Sequence, residues 1–193
     1  MNARERKDTD AAGPTRSPRT VYLIGARGSG KTTVGQIVAA QLGLSFLDAD
    51  AVLEAKELRT ISDIFADLGE NWFRDREELI LTELASDGPV VIATGGGAVL
   101  RRSNRERMRR GGWVVWLRAD VETLWQRLEN DPATSERRPD LAGGGREEVE
   151  ELLRVREPLY HECAHFEVST AGRSPDVVAS DIVAQCLNSM TSC

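Results

Sequence analysis

The chain has 193 residues, which suits one compact domain with a core of ordinary size. Hydrophobic residues make up 40% and charged residues 29%, as in a globular protein. The sequence contains no run of about 18 apolar residues, so it predicts no membrane span. A formal net charge of −6 argues against general binding of nucleic acid or of an anionic membrane. Any anionic ligand must therefore be held by a local cluster of arginine and lysine.

The first segment, residues 1–19, is polar and mixed in charge, and it lacks the apolar stretch that a secretory signal needs. We interpret it as a flexible leader before a domain at 20–193; a weak basic interaction arm is the alternative. The three cysteines form no CxxC pair, which is typical of reduced thiols in a cytoplasmic protein.

Strands and helices are predicted to alternate along the chain. Short apolar, partly β-branched runs predict buried strands at 21–24, 44–47, 90–93, 113–117 and 166–168. Apolar periodicity and capping residues predict helices at 32–42, 51–58, 62–68, 70–85, 102–109, 121–128, 147–157 and 175–187. Ser62 or Asp63 could cap the third helix, Ser174 could cap the last one, and Pro158 is expected to end the helix before it.

This alternation predicts an α/β fold with a parallel sheet and helices on both faces. Residues 129–145 contain two prolines, three consecutive glycines and many charges. We predict that this long loop is a mobile lid over an active site.

A phosphate-binding loop is predicted at residues 25–32, which read GARGSGKT and fit the pattern G-x-x-x-x-G-K-[ST]. Its glycines let backbone N–H groups surround phosphate oxygens, and the following helix adds its positive end. Lys31 can supply charge to the terminal phosphates, and the Thr32 hydroxyl can bind Mg²⁺. A chance match in a chain of this length has odds of about one in a hundred, and this match lies between a predicted strand and a predicted helix.

Two acidic residues, Asp48 and Asp50, follow the strand at 44–47. Residues two apart in an extended segment face the same side, so both can point into the crevice at the strand ends. One could serve Mg²⁺ through water, and the other could meet a substrate hydroxyl. A solvated acidic turn is the alternative.

The ordered motifs resemble the shikimate kinase family over most of the chain, from about Val21 to Leu187. They are GARGSGKTT at 25–33, LDAD at 47–50, WFRDRE at 72–77, TGGGAV at 94–99, RRPDLAG at 137–143 and RVREPLY at 154–160. The resemblance implies a three-layer αβα P-loop kinase fold with a central five-stranded parallel sheet and a mobile lid. It also implies ATP-dependent phosphorylation of the 3-hydroxyl of shikimate.

The resemblance implies a nucleotide site and a metal site. Thr32 would hold Mg²⁺ directly and Asp48 would hold it through water, while Arg173 would lie beside the adenine. Arg138, in the lid, would close over the ATP phosphates. The loop residues in contact with ATP would be Gly28, Ser29, Gly30, Lys31, Thr32 and Thr33.

The resemblance implies a substrate site as well. Asp50 would bind the reacting diol end of shikimate, and Arg74 and Arg156 would pair with its carboxylate. Planar guanidinium groups bind carboxylates well through two parallel hydrogen bonds. The backbone of Gly95, Gly96 and Gly97 would form the floor. Lys31, Asp50 and Arg138 would be the catalytic residues.

One departure concerns the lid, where many family members have Arg-Pro-Leu-Leu and this chain has Arg138, Pro139, Asp140 and Leu141. Asp140 brings a negative charge near the phosphates, and the neighbouring Arg137 leaves open which arginine contacts ATP.

The sequence leaves three alternative functions. Another small-metabolite kinase, such as a gluconate kinase, is the first alternative, and a ligand sensor without turnover is the second. A nucleic-acid-binding ATPase fits poorly with the acidic composition. We expect a cytoplasmic monomer.

Overall fold

The computed structural model describes residues 19–86, 88–130 and 145–191. The leader up to residue 18, most of the predicted lid, and Arg137, Arg138 and Asp140 lie outside the described residues. The helices are α1 Lys31–Leu42, α2 Ala49–Glu57, α3 Ile61–Leu84, α4 Arg102–Gly111, α5 Val121–Glu129, α6 Gly145–Cys163 and α7 Pro175–Thr191. The strands are β1 Thr20–Ile24, β2 Ser45–Asp48, β3 Val90–Ala93, β4 Gly112–Arg118 and β5 Phe166–Ser169.

The five strands form one parallel sheet in the order β2-β3-β1-β4-β5. All residues of β1 and β3 are buried, as continuous apolar strands at the centre of a sheet should be. Asp48 at the end of β2 pairs in register with Ala93 at the end of β3, and Leu23 of β1 pairs with the same Ala93. The segments that follow β1, β2 and β3 therefore emerge side by side at one edge.

Helices cover both faces of the sheet, and two hydrophobic cores result. Val21 and Leu23 of β1 pack with residues of α1 and α7 on one face. Tyr22 and Ile24 point to the other face, where they pack with residues of α3, α4 and α6. This division follows from the two-residue alternation of side chains along a strand. The predicted three-layer αβα fold with five parallel strands is confirmed.

The prediction that a helix ends at Pro158 is wrong, because α6 continues through this proline to Cys163. An interior proline costs about 3 kcal/mol, since it removes a backbone hydrogen bond and crowds the preceding turn. The turn after Pro158 buries Tyr160 and Cys163 completely. Burial of a large apolar side chain contributes about 1.5–3 kcal/mol, so tertiary packing compensates for the proline.

The start of α3 also differs from the prediction. Thr60 is the N-cap, and its hydroxyl accepts a hydrogen bond from the backbone N–H of Asp63 at 3.1 Å. Ser62 and Asp63, which were the predicted caps, therefore lie in the first turn. The expected break near residue 69 is present as a kink, with non-helical angles of φ 80° and ψ 169° at Gly69. At the last helix, Ser174 and Pro175 occupy the predicted cap and first helical positions.

Within the ranges that the structure describes, every helix is too short or too polar to cross a bilayer.

Candidate active site

The phosphate-binding loop connects the end of β1 with the start of α1. Gly25, Gly28 and Gly30 have positive φ angles of 143°, 80° and 93°. A Cβ atom on Gly25 would lie 2.6 Å from the carbonyl oxygen of Leu117 on the neighbouring strand. The tight path of the loop therefore requires glycine there for two reasons, backbone conformation and lack of space.

Lys31 folds its side chain back onto this loop. Its Nζ atom donates to the carbonyl oxygens of Gly25 at 2.9 Å and Ala26 at 2.8 Å, and lies 3.4 Å from Oγ of Ser29. Ser29, which belongs to the loop itself, is completely buried. The ammonium group is thus held against the loop by two of its carbonyl oxygens. In a phosphate loop of this pattern, the lysine supplies charge to the terminal phosphates of a nucleotide.

Thr32 and Asp48 bring two oxygen donors together beside the loop. The Thr32 hydroxyl donates to Oδ2 of Asp48 at 2.8 Å. The other carboxylate oxygen of Asp48 accepts from the backbone N–H groups of Asp50 at 3.1 Å and Ala51 at 3.3 Å, and so caps α2. A hydroxyl and a carboxylate are the hard donors that Mg²⁺ prefers, and Mg²⁺ usually keeps several waters when it is bound this way.

Arg74 occupies a buried position on α3 and is 6% exposed. Its Nη1 atom donates to Glu77 at 2.7 Å, and its Nε and Nη2 atoms donate to Oε1 of Glu70 at 3.2 Å and 3.1 Å. Burial by itself would lower the pKa of Arg74, but the Glu77 and Glu70 carboxylates raise it above its usual value. The guanidinium is therefore charged and firmly oriented.

The first and last glycines of the triple-glycine turn leave space for these charged side chains. A Cβ atom on Gly95 would lie 2.5 Å from Oε1 of Glu77 and 2.8 Å from Oδ1 of Asp50. A Cβ atom on Gly97 would lie 2.3 Å from Nη2 of Arg74. The absent side chains thus allow two carboxylates and one guanidinium to approach the backbone after β3.

Helix α6 contacts the middle of the same turn. The hydroxyl of the completely buried Tyr160 donates to the carbonyl oxygen of Gly96 at 2.5 Å, and its ring stacks on Trp116. Arg156 lies one helical turn earlier on the same face, and its Nη1 atom is 3.7 Å from the Cβ position of Gly96. Tyr160 thus holds the turn against the helix that carries Arg156.

A cavity of about 720 Å³ lies above this edge of the sheet, within the size range of small-ligand sites. The predicted site residues that line it are Gly28, Gly30, Lys31, Thr32, Thr33, Asp48, Asp50, Arg74, Gly96 and Arg156. Gly95 and Gly97 lie directly behind it, against Glu77 and Arg74. The cationic and acidic side chains expected from separate motifs therefore meet around one crevice.

Two predicted nucleotide contacts, the buried Ser29 and Arg173, are not among the residues that line this cavity. The guanidinium of Arg173 pairs with Asp181 at 2.6 Å and with the carbonyl oxygen of Ser169 at 3.2 Å, at the turn between β5 and α7. Its predicted position beside the adenine stays a prediction, as does the role of Arg138.

Sequence reasoning missed the contacts that three side chains make around the site. Glu70 and Glu77 surround Arg74, and their spacing of four and three residues from it on one helix was the available signal. Arg127 connects the phosphate loop to the β5–α7 turn: it donates to the carbonyl oxygen of Gly28 at 3.1 Å and to both oxygens of Thr170 at 2.8–3.0 Å. Residues 28 and 170 are remote in sequence, so no local pattern could have indicated this contact.

Three features define the class of this protein: the parallel sheet, the phosphate loop after its central strand, and the acidic pair after the strand two positions away. They are the features of a P-loop kinase for small molecules. Because Arg74 and Arg156, on two different helices, also line the cavity, the substrate half of the site suits an anion.

Comparison with known proteins defines the family. The shikimate kinase family model matches residues 27–187. A shikimate kinase from Symbiobacterium thermophilum is 44% identical over 166 residues, which cover 84% of this chain and 93% of the relative. A shikimate kinase from Acinetobacter baumannii, solved in complex with shikimate, superposes with a TM-score of 0.84 at 39% identity, covering 89% of this chain and 94% of the other. A shikimate kinase from Bacteroides thetaiotaomicron gives a TM-score of 0.78 at 30% identity, covering 90% and 98%. This chain belongs to the shikimate kinase family.

Proposed function

We propose that this protein transfers the γ-phosphoryl group of ATP to the 3-hydroxyl of shikimate, giving shikimate 3-phosphate and ADP on the route to chorismate and the aromatic amino acids. The observation that carries the proposal is that Arg74 and Arg156 line the same cavity as Lys31 and Asp50. One half of that cavity suits the phosphates of a nucleotide, and the other suits a hydroxylated carboxylate. Family membership supports the same conclusion.

In the nucleotide half, the backbone of residues 28–33 and the ammonium of Lys31 bind the phosphates. Thr32 and Asp48 are the residues that would hold Mg²⁺, and their hydrogen bond at 2.8 Å supports this assignment. When bound, Mg²⁺ neutralises charge on the phosphate oxygens. In the described part of the chain, no cluster of three or more His, Cys, Asp or Glu side chains is placed to hold a metal ion. The proposed site needs no such cluster, because Thr32 would bind the ion directly, Asp48 would bind it through water, and water and phosphate oxygens would supply the other ligands.

In the substrate half, Arg74 and Arg156 pair with the carboxylate and Asp50 orients the diol. Glu77 and Glu70 hold the guanidinium of Arg74 on one side of the site. The triple glycine brings backbone atoms close to the ring of the substrate. Correct orientation of the hydroxyl toward the phosphate half is the main contribution of these groups.

In the transfer step, the 3-hydroxyl oxygen forms a bond to the γ-phosphorus, and the bond from that phosphorus to the β,γ-bridging oxygen breaks. The transition state is loose, so that positioning and charge neutralisation by Lys31 and Arg138 provide most of the rate enhancement. The carboxylate of Asp50 accepts the proton of the hydroxyl late in the step. Closure of residues 129–145 over the site would exclude water, which otherwise hydrolyses ATP.

We also propose that the enzyme acts as a monomer in the cytoplasm. The free thiols of Cys163 and Cys186 agree with a reducing compartment.

A coupled assay of ADP release, with and without shikimate, tests the proposal. We expect ATP consumption to depend on shikimate and to be much slower with a panel of other hydroxy acids, including gluconate. ATP consumption that depends on gluconate instead would favour the other small-metabolite kinases. Tight shikimate binding without turnover would favour a ligand sensor.

A further inference from the structure

Arg74 is held by two carboxylates that have very different surroundings. Glu77 is 2% exposed and is enclosed by the protein, so its pairing with Nη1 of Arg74 is a fixed part of the core. Glu70 is 57% exposed and lines the cavity. Its Oε1 atom accepts from Nε and Nη2 of Arg74, and so occupies one complete edge of the guanidinium.

The position of Glu70 in the chain gives it freedom to move. It directly follows Gly69, where the backbone leaves the helical conformation and α3 kinks. Glu70 is thus the first residue of the second half of α3, one turn before Arg74. A side chain at such a position, exposed to solvent, can change rotamer without disturbing the buried core.

The two carboxylates around Arg74 oppose the approach of a further anion to this guanidinium. One guanidinium already faces two carboxylates, so the group of three carries a net charge of −1 if both carboxylates are ionised. A substrate carboxylate that approaches Arg74 must either accept repulsion from both or displace one of them. Movement of the buried Glu77 away from Arg74 would leave a buried charge without its partner, whereas Glu70 can turn toward solvent.

We propose that Glu70 competes internally with the substrate carboxylate for Arg74. In the empty enzyme Glu70 holds the Nε and Nη2 edge of the guanidinium, and it moves toward solvent when the substrate carboxylate binds. The inference rests on the proposed function, in which Arg74 binds that carboxylate. Glu70 thereby contributes to specificity, because a neutral sugar or polyol provides no carboxylate to replace it on Arg74.

The opposite role would be a support, in which Glu70 orients Arg74 for the substrate. The two roles predict changes of opposite sign when the charge of Glu70 is removed. Loss of a competitor tightens binding of shikimate, whereas loss of a support weakens it. The KM and the Kd for shikimate therefore distinguish them.

The test compares Glu70→Gln with wild type in steady-state kinetics and in calorimetric titration with shikimate. A partly exposed ion pair changes an equilibrium constant by up to about fivefold, so we expect the KM and Kd for shikimate to fall by about two- to fivefold. Glu83→Gln is the matched control: Glu83 lies on the same helix, is 55% exposed and pairs with Lys56. We expect this control to leave both constants for shikimate at the wild-type values.

An unchanged or increased KM in both Glu70→Gln and Glu70→Ala would overturn the inference. Glu70→Ala, with its fold checked by circular dichroism, provides a second variant that retains no acceptor for Arg74. Arg74→Ala, measured in the same series, separates the inference from the proposed function. If Arg74→Ala leaves the KM for shikimate unchanged, the proposed carboxylate site is wrong. If Arg74→Ala raises it and neither Glu70 variant lowers it, only the competition by Glu70 is wrong.

Discussion

At the scale of single residues, the glycines of the site matter as much as its charged side chains, because they leave the space that those side chains occupy. Gly95 lies next to the carboxylates of Glu77 and Asp50, and a methyl group at this position would overlap oxygen atoms of both. Glu77 is 2% exposed and cannot move aside easily. The glycine therefore maintains the arrangement of acids on which the orientation of Arg74 depends.

Gly95→Ala is predicted to impair both stability and substrate binding. We expect a loss of about 1–3 kcal/mol in the free energy of unfolding, because the added methyl group overpacks a buried site. We also expect a higher KM for shikimate, since Glu77 and Arg74 must shift. Denaturant unfolding and steady-state kinetics measure the two effects.

Gly96→Ala is the neighbouring control for stability, because its Cβ atom would make contacts of 3.5 Å or more. Equal destabilisation by both substitutions would show that the contacts of Gly95 with the two carboxylates are not the cause.

Leu58 is a second position where one substitution is expected to change the stability of the protein measurably. It ends α2 in the left-handed conformation, with φ 54°, and its side chain is 90% exposed. This conformation costs a residue with a Cβ atom about 1–2 kcal/mol, while glycine adopts it freely. Leu58→Gly should therefore raise the free energy of unfolding by about 0.5–1 kcal/mol, after the greater entropy of glycine in the unfolded chain is subtracted.

Differential scanning calorimetry should detect this as an increase of about 1–4 °C in Tm. Leu58→Ala is the control, since it removes the exposed side chain but keeps the Cβ atom. A Tm that rises equally in both variants would assign the effect to loss of the apolar side chain.

At the scale of secondary structure, helix α6 contributes side chains to the active site, and its C-terminal turn is held by another helix. It carries Arg156 and Tyr160 toward the triple-glycine turn, and it does so in spite of an interior proline. Its last turn is fixed by Arg109 of α4, whose Nη1 atom lies 3.0 Å from the carbonyl oxygens of Glu162, Cys163 and Ala164. A cation at the C-terminus of a helix binds unsatisfied carbonyl groups and interacts favourably with the helix dipole.

Arg109→Ala is predicted to lower the free energy of unfolding by about 1–2 kcal/mol, because the carbonyl oxygens at the end of α6 lose a charged donor. Arg110→Ala is the matched control on the same helix. Arg110 pairs only with Glu106 in the contacts described, and its side chain is 81% exposed. An exposed pair of this kind contributes at most about 1 kcal/mol.

Thermal unfolding of the two variants side by side measures the difference. If Arg110→Ala destabilises the protein as much as Arg109→Ala, the contacts with α6 are not responsible.

At the scale of the whole molecule, the parallel sheet brings the separate motifs together. Because β1, β2 and β3 are adjacent and parallel, their carboxyl ends place the phosphate loop, the acidic pair and the triple glycine at one edge. Helices α3 and α6 then add an arginine each from the same side of the sheet. The crevice is a product of topology, and no single segment contains it.

Lys31→Ala tests whether this assembly acts through the phosphate loop. We expect turnover to fall by about a hundredfold or more, because a charge that stabilises the transferring phosphoryl group is lost. The fold should be retained, since the Lys31 ammonium bonds to Gly25, Ala26 and Ser29 in a short loop at the edge of the sheet and lies outside the hydrophobic cores. Circular dichroism and Tm check the fold, and the ADP assay measures turnover. Near-normal activity of Lys31→Ala would show that the ammonium of the phosphate loop takes no part in the reaction.

Much of the fold and part of the site could be predicted from the sequence, because the relevant information is local. Strand and helix periodicity predicts the alternating elements, and the glycines, Lys31 and Thr32 of the loop lie within eight residues. Asp48 is the last residue of its strand and Asp50 lies in the first turn of the helix that follows, so their position at the strand end requires only the knowledge that the strand exists. Sequence reasoning failed where long-range contacts outweigh a local preference, as at Pro158.

The sequence by itself determined the class of the fold, the phosphate loop and the residue types available for an acid substrate. Only the tertiary structure decided which cations meet distant elements: Arg109 at the end of α6, and Arg127 between the phosphate loop and Thr170. The physical reason is that charged side chains are long and find partners through packing of distant elements. Periodicity describes a backbone and the face it buries, whereas pairing of charges depends on where the packed elements place them.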